Sequence, residues 1–291
     1  MKRALVLGGT KFFGKKLVKN LLETGIEVTI ATRGRTEDGF GDRVHRIPID
    51  RTDRSSIENL AFQSWDVVYD QTCYSPKEAL DICEVLKGKI GRLIFTSTAA
   101  VYDGGSSLIE EQFDPYTFEV GEIKSREHYK GVAGYQLAKR QAEAVYYQKA
   151  DFPVVAVRLP FVVGRDDYSE RLKFYVKKVK MGEEMYIPEL DNVLDFITSD
   201  EAGQFLHWLG NSDYVGPING GAKDEATFKQ FIEMIEEIVG KKAVLTDNKE
   251  ATTPYVLFTA FALSVEKAEQ LGYKFPEIHE FLPDLIKHYA R

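Results

Sequence analysis

Tyr135 and Lys139 stand four residues apart in a stretch of helical pattern, Tyr135-Gln136-Leu137-Ala138-Lys139. On a helix, positions i and i+4 share a face, so the Lys139 ammonium can sit near the Tyr135 oxygen. A free tyrosine has a pKa of about 10, so proton transfer near pH 7 needs roughly 3 units, or about 4 kcal/mol, of help. A neighbouring cation supplies part of that help. Among 15 tyrosines, Tyr135 alone has a lysine four positions on. Chance yields such pairs in a tyrosine-rich chain, so the weight of this one comes from its place. It follows the run Leu93-Ile94-Phe95-Thr96-Ser97-Thr98, which reads as a strand with hydroxyls at its carboxyl end. Ligands of α/β sheets bind at such ends, and Thr98 is placed to hydrogen-bond a substrate oxygen. The alternative is that Ser97 and Thr98 only cap the strand.

A different chemistry is offered by Gly8-Gly9-Thr10-Lys11-Phe12-Phe13-Gly14. An apolar run precedes it and a helical pattern follows, with Phe13, Leu17, Val18, Leu21 and Leu22 on one face. Strand, glycine-rich turn and helix together aim backbone N–H groups and a helix N-terminus at a dinucleotide pyrophosphate. Lys11 replaces the middle glycine of the G-x-x-G-x-x-G form. It either marks a position that needs no positive φ or adds charge near a phosphate. The second strand ends Ala31-Thr32-Arg33-Gly34-Arg35, without the acid that would bind the 2′-hydroxyl of NAD. Arg33 and Arg35 suit a 2′-phosphate, which favours NADP over NAD.

These groups need a frame. Strands are expected at Arg3–Leu7, Glu27–Ala31, Val44–Ile49, Asp66–Tyr69, Arg92–Ser97 and Val154–Arg158, with helices at Phe12–Glu23, Asp53–Leu60, Pro76–Leu86 and Tyr135–Lys149. Their alternation predicts an α/β fold, a Rossmann-type doubly wound parallel sheet covered on both faces. It breaks at Asp103–Gly134, a Gly-, Ser- and acid-rich stretch too long for a passive connection, expected to form part of the active-site rim. Beyond Arg158 the pattern changes: a strand at Val193–Ile197, helices at Ser199–Leu209 and Ala226–Val239, a strand at Ala243–Leu245, and helices at Val265–Leu271 and Ile278–Tyr289. Residues 1–163 read as the dinucleotide-binding domain and 164–291 mainly as a smaller substrate lobe, with some elements returning to the sheet.

Composition bounds the function. The net charge of −7 disfavours nucleic acid as the main partner, since phosphate binding needs a concentrated basic surface. No apolar run reaches the roughly 20 residues of a membrane helix. The N-terminus leads straight into a strand, so no signal peptide is expected and the location is expected to be cytoplasmic. Cys73 and Cys83 read as reduced core thiols. No metal is expected.

The ordered set resembles the extended short-chain dehydrogenase/reductases, the NAD-dependent epimerase/dehydratase family. It comprises the Gly8–Gly14 loop, Thr96-Ser97-Thr98-Ala99-Ala100-Val101-Tyr102, the Tyr135/Lys139 pair, Arg158–Gly164, Leu194–Ala202 and Pro217–Gly221. The G-G-T-K-F-F-G form resembles an atypical branch that includes an RNA-binding relative. The resemblance implies a nicotinamide cofactor, with Tyr135 as acid/base, Lys139 as its electrostatic partner and ribose contact, and Thr98 bonding substrate. It further implies Asp50 as the adenine-side acid, with Gln71 and Thr72 along the cofactor. By family position alone, Arg165 and Asp195 join the substrate cleft. Polar Asp70-Gln71-Thr72 departs from the family's small apolar residues. Ala99 and Ala100 stand where dehydratases carry an Asp-Glu pair, so dehydration is disfavoured. The expected function is an NAD(P)-dependent oxidoreductase or epimerase, acting by hydride transfer on a hydroxyl or carbonyl of a nucleotide-sugar or related small molecule. The alternative is a non-catalytic dinucleotide-binding regulatory or RNA-binding member of the same fold. By analogy with relatives, the Pro76–Leu86 and Tyr135–Lys149 helices offer a homodimer face.

Overall fold

The computed structural model describes residues 1–257 and 261–291. In chain order the first half holds β1 (Arg3–Leu7), α1 (Phe12–Glu23), β2 (Glu27–Thr32), β3 (His45–Pro48), α2 (Arg54–Ile57), β4 (Trp65–Asp70), α3 (Pro76–Val85), β5 (Ile90–Thr98), β6 (Gly105–Leu108), α4 (Gly131–Lys149) and β7 (Val154–Leu159). The second half holds β8 (Phe161–Val163), α5 (Arg171–Met181), β9 (Glu184–Met185), β10 (Val193–Leu194), β11 (Phe196–Thr198), α6 (Ser199–Asn211), β12 (Gly216–Asn219), β13 (Ala226–Thr227), α7 (Phe228–Val239), β14 (Val244–Leu245), β15 (Phe261–Leu263), α8 (Glu266–Gln270) and α9 (Ile278–Ala290).

Seven strands form one sheet in the order β12-β7-β5-β4-β1-β2-β3, and every pairing in it is parallel. A parallel sheet needs cover on both faces, and the near-continuous apolar strands meet that need. Leu17, Val18 and Leu21 of α1 and Phe205, Leu206 and Leu209 of α6 pack on one face. Ala79 and Ile82 of α3 and Ala142 and Val145 of α4 pack on the other. The sheet reverses direction of growth between β1 and β4, so its carboxyl edge has a crevice there. β12, far along the chain, returns to the sheet beside β7.

A third apolar cluster joins α5, α7 and α9 around Tyr175, Phe196, Phe231 and Tyr255. Leu194 and Ala226 of a four-stranded sheet, β13-β10-β15-β6, belong to the same cluster. Among the described residues, no helix is long and apolar enough to cross a membrane.

Several boundaries differ from those the sequence predicts. Helix α4 begins at Gly131 rather than Tyr135, its first turn folded tightly on the backbone of Tyr129. The Asp103–Gly134 stretch contains β6, whose partner β15 is remote in sequence and so invisible to local pattern. The strand expected at Val193–Ile197 is two: β10 joins the four-stranded sheet and β11 pairs with β8. They part at Asp195, whose carboxylate accepts from the backbone N–H groups of Leu263 and Ala222 at 3.0 and 3.2 Å. α7 starts two residues later than expected because Thr227 caps it, in a reciprocal capping box with Gln230. α2 is one turn, capped by Asp53 and continued as a 3-10 helix to Phe62.

Candidate active site

The glycine-rich loop connects β1 to α1 at the carboxyl edge of the sheet. Gly8 and Gly9 have φ of 115° and 84°, open only to residues without a β-carbon. A β-carbon on Gly14 would lie 2.4 Å from Gln71 Oε1 and 3.1 Å from the Gly9 backbone. Lys11 is extended at φ −141° and exposed. The left-handed turn falls instead on Phe12 at φ 51°, which costs about 1–2 kcal/mol for a residue with a β-carbon. The lysine is therefore compatible with the loop, and the aromatic after it carries the strain.

A cavity of about 620 Å³ lies against this loop. Gly8 to Gly14, Arg33, Arg35, Asp50, Gln71 and Thr72 all line it. Asp50 accepts from Thr52 N and Oγ1 at 3.0 and 2.7 Å. Those bonds, with weaker help from the Arg33 and Arg35 charges, hold its carboxyl below the usual range. The fourth-strand turn is polar for a structural reason. Asp70 is fully buried, accepts from Arg51 at 2.6 Å and from Tyr146, and caps the turn through Thr72 N and Cys73 N. Gln71 points its amide over Gly14 instead of sealing the strand end.

A second cavity of about 670 Å³ adjoins the first. Thr98, Tyr135 and Lys139 line it together, with Thr96, Tyr74, Leu159, Phe161 and Arg171. Thr98 ends β5, caps the following turn through Ala100 N at 3.2 Å, and lines the cavity with Tyr135. Burial pushes the Tyr135 hydroxyl above its ordinary pKa, while the Thr98 hydroxyl and the Arg171 charge pull it down. The Tyr74 ring lies 5.6 Å from that of Tyr135. Lys139 is buried, and its Nζ donates to the carbonyls of Cys73 and Thr96 at 3.0 and 2.9 Å. An ammonium has three donors, so these fix its place and leave one to spare. Burial lowers its pKa. Ala99 and Ala100 also line this cavity, and no acid stands at either position.

Two further side chains bear on what the cleft can hold. Gln71 Nε2 and Thr96 Oγ1 are buried without a hydrogen-bond partner among the described residues. An unmet buried polar group costs about 1–3 kcal/mol, which a polar ligand in the cleft would relieve. The glycine cradle, the arginines at the β2 end and these unmet groups fit a dinucleotide laid along both cavities, each within the size range of ligand sites.

Thus the fold brings together all the expected cofactor and catalytic positions. Arg165 and Asp195 are elsewhere. Arg165 is exposed and lines neither cavity. Asp195 is buried, its acceptors spent on backbone N–H groups, and burial drives it well above the usual carboxylate range. Tyr74, Arg126, Phe161, Tyr168 and Arg171 also border the cleft; Arg126 belongs to the expected rim and Phe161 to the Arg158–Gly164 motif, while the sequence does not single out Tyr74, Tyr168 and Arg171 as site residues.

The sheet order, the glycine loop and the crevice define a Rossmann-type doubly wound α/β fold. Residues 4–219 match the NAD dependent epimerase/dehydratase family, and the chain belongs to that family. It is 25% identical over 231 residues to the chloroplast stem-loop binding protein of 41 kDa b of Arabidopsis thaliana, covering 72% of this chain and 56% of that protein. It is 24% identical over 271 residues to UDP-glucuronic acid decarboxylase 1 of the same plant, covering 84% of this chain and 60% of that one. The chain thus spans little more than half the length of these relatives. Its fold superposes on the Thermus thermophilus UDP-glucose 4-epimerase complex with NAD with a TM-score of 0.68 at 20% identity, covering 99% of this chain and 97% of that one.

Proposed function

We propose that the protein is a nicotinamide-dependent epimerase or reductase acting on a hydroxyl or carbonyl of a nucleotide-sugar or related small molecule. The observation that carries this is the joint placement of Thr98, Tyr135 and Lys139 in a cavity that adjoins the glycine-loop cavity. Residues 1–163 mainly bind the dinucleotide, and 164–291 mainly shape the substrate side. Gly8, Gly9, Thr10, Phe13 and Gly14 would cradle the pyrophosphate. Asp50 would meet the adenosine end, and Gln71 and Thr72 the middle. A bound nicotinamide supplies the hydride acceptor or donor.

The chain's own residues do the rest. Thr98 holds the substrate oxygen by a hydrogen bond. Tyr135 takes or gives the proton at that oxygen. Lys139, fixed by two carbonyls, favours the tyrosinate by its charge and offers its remaining donor to the ribose. Ala99 and Ala100 supply no second acid or base, so elimination of water lacks its proton carriers. Arg33 and Arg35, with Lys11 on the same cavity, support NADP over NAD.

The similarity to UDP-glucuronic acid decarboxylase and to UDP-glucose 4-epimerase supports a nucleotide-sugar substrate. A second reading, a dinucleotide-responsive RNA-binding protein, draws on the likeness to the chloroplast stem-loop binding protein. One experiment separates them. Mass spectrometry of the purified protein identifies the dinucleotide it carries, and a panel of UDP- and dTDP-sugars is then assayed for product. Turnover lost in Tyr135→Phe, with dinucleotide binding kept, supports the enzyme. Dinucleotide binding with no turnover, together with RNA affinity that falls steeply with salt, supports the alternative.

A further inference from the structure

Among the described residues, Arg126 is the only cation that borders both cavities. It belongs to the 103–134 insertion and is held in place by residues of the β4–α3 region. Its Nε and Nη2 donate to Glu78 Oε1 and Oε2, each at 2.7 Å. Nη2 also donates to the Thr72 carbonyl at 3.3 Å, and the guanidinium lies 5.6 Å from the Tyr74 ring centroid. Glu78 is itself buried and saturated, accepting from Tyr74 N and Ser75 Oγ at 3.0 and 3.1 Å. The fork is thereby fixed before any ligand arrives. Its Nη1 has no hydrogen bond among the described residues, and the side chain stays 40% exposed.

A staple joining the insertion to α3 would account for the Glu78 contact. It would not require the guanidinium to stand at the seam of two cavities with one nitrogen unspent. That seam is bordered by Phe12, Phe13, Gln71, Thr72 and Tyr168, the loop and turn residues around the glycine cradle. A dinucleotide with its adenosine half in one cavity and its nicotinamide half in the other passes its bridging diphosphate through this seam.

We propose that Arg126 binds that diphosphate through Nη1, so that the insertion supplies a cofactor contact. The proposal rests on the reading of the two cavities as a dinucleotide site. Because Glu78 neutralises the guanidinium, what Arg126 adds is mainly a pre-aimed donor to a charged acceptor. A hydrogen bond to a charged group sets the scale of its removal at about tenfold or more in affinity.

The test is calorimetric titration of the full chain with NADPH, NADH, ADP-ribose and adenosine, in wild type and in Arg126→Met. Arg126→Met is expected to weaken ADP-ribose and the favoured dinucleotide about tenfold while adenosine, which lacks the diphosphate, binds as before. Unchanged ADP-ribose affinity overturns the proposal, and so does an equal loss for adenosine. If Arg126→Met does not fold, Arg126→Lys reads the same comparison, since it keeps the charge and stem but loses the fork. There too, unchanged ADP-ribose affinity overturns it. Failure of the wild type to bind any dinucleotide or ADP-ribose overturns the cofactor reading itself, a result distinct from a variant that binds as tightly as wild type.

Discussion

Arg158 and Glu143 form an ion pair at 2.5 Å with neither side chain exposed to water. Arg158 also donates to the Tyr102 hydroxyl and the carbonyls of Glu110 and Phe113, at 2.8, 2.8 and 2.9 Å. Glu143 accepts from Ser97 Oγ as well. One buried pair thus ties β5, α4 and β7 to the insertion. Removing one partner strands the other charge, so Arg158→Met or Glu143→Gln should cost about 3–5 kcal/mol. Urea unfolding at pH 7 measures this, and a loss under about 1 kcal/mol would contradict the assignment. The double variant should recover part of the loss.

Gly14 sits where no side chain fits. In Gly14→Ala the new β-carbon meets Gln71 Oε1, which can swing away, and the Gly9 backbone at 3.1 Å, which cannot without moving the loop. Dinucleotide affinity should fall at least about tenfold, the factor set by loss of about 1.4 kcal/mol. Fluorescence titration reads it, and wild-type affinity would show that the loop does not hold the ligand.

The pH profile should report Tyr135. Burial raises its pKa in the free protein. Substrate oxidation needs the tyrosinate, so its rate should rise with pH through that pKa. Carbonyl reduction needs the protonated form and should fall over the same range. Lys139→Met removes the charge proposed to favour the tyrosinate, so both limbs should move to higher pH. kcat should drop roughly 10²-fold or more. An unmoved profile in Lys139→Met would remove the lysine from this role.

Cofactor choice should follow the β2 end. Arg33→Ala and Arg35→Ala should each weaken NADPH by about tenfold, the scale of a hydrogen bond to a charged group, and leave NADH nearly unchanged. Tighter NADH than NADPH binding by the wild type would refute the preference.

The frame was legible because β1, β2, β4, β5 and β7 are short apolar runs separated by amphipathic helices, a pattern that only a doubly covered parallel sheet accommodates. Thr98, Tyr135 and Lys139 were legible because strand ends and helix faces fix where such residues point. What local pattern lacks is the identity of distant partners. Asp195 reads as a polar residue on a strand, and only the fold reveals that Ala222 N and Leu263 N consume its carboxylate. Arg126 reads as one basic residue in an acidic loop until Glu78, 48 positions earlier, fixes it at the cleft. Lys11 looked like a gap in a glycine pattern, while the strain it displaces sits on Phe12.

The parallel pairing of β6 with β15, in which Gly105 meets Phe261, also governs the order in which a nascent chain can fold. Six strands of the main sheet are complete once Leu159 has emerged, but β7 then presents an open edge until Gly216–Asn219 arrives to pair with it. The insertion waits longer, since its strand β6 has no neighbour among the described residues until Phe261–Leu263 has left the ribosome. Long loop closures of this kind are slow, and unpaired edges invite association with other chains. The strand order thus lets the glycine loop and Tyr135 emerge well before the strand that completes the rim of their cleft, and a chain halted between the two would expose the unpaired edges of β7 and β6.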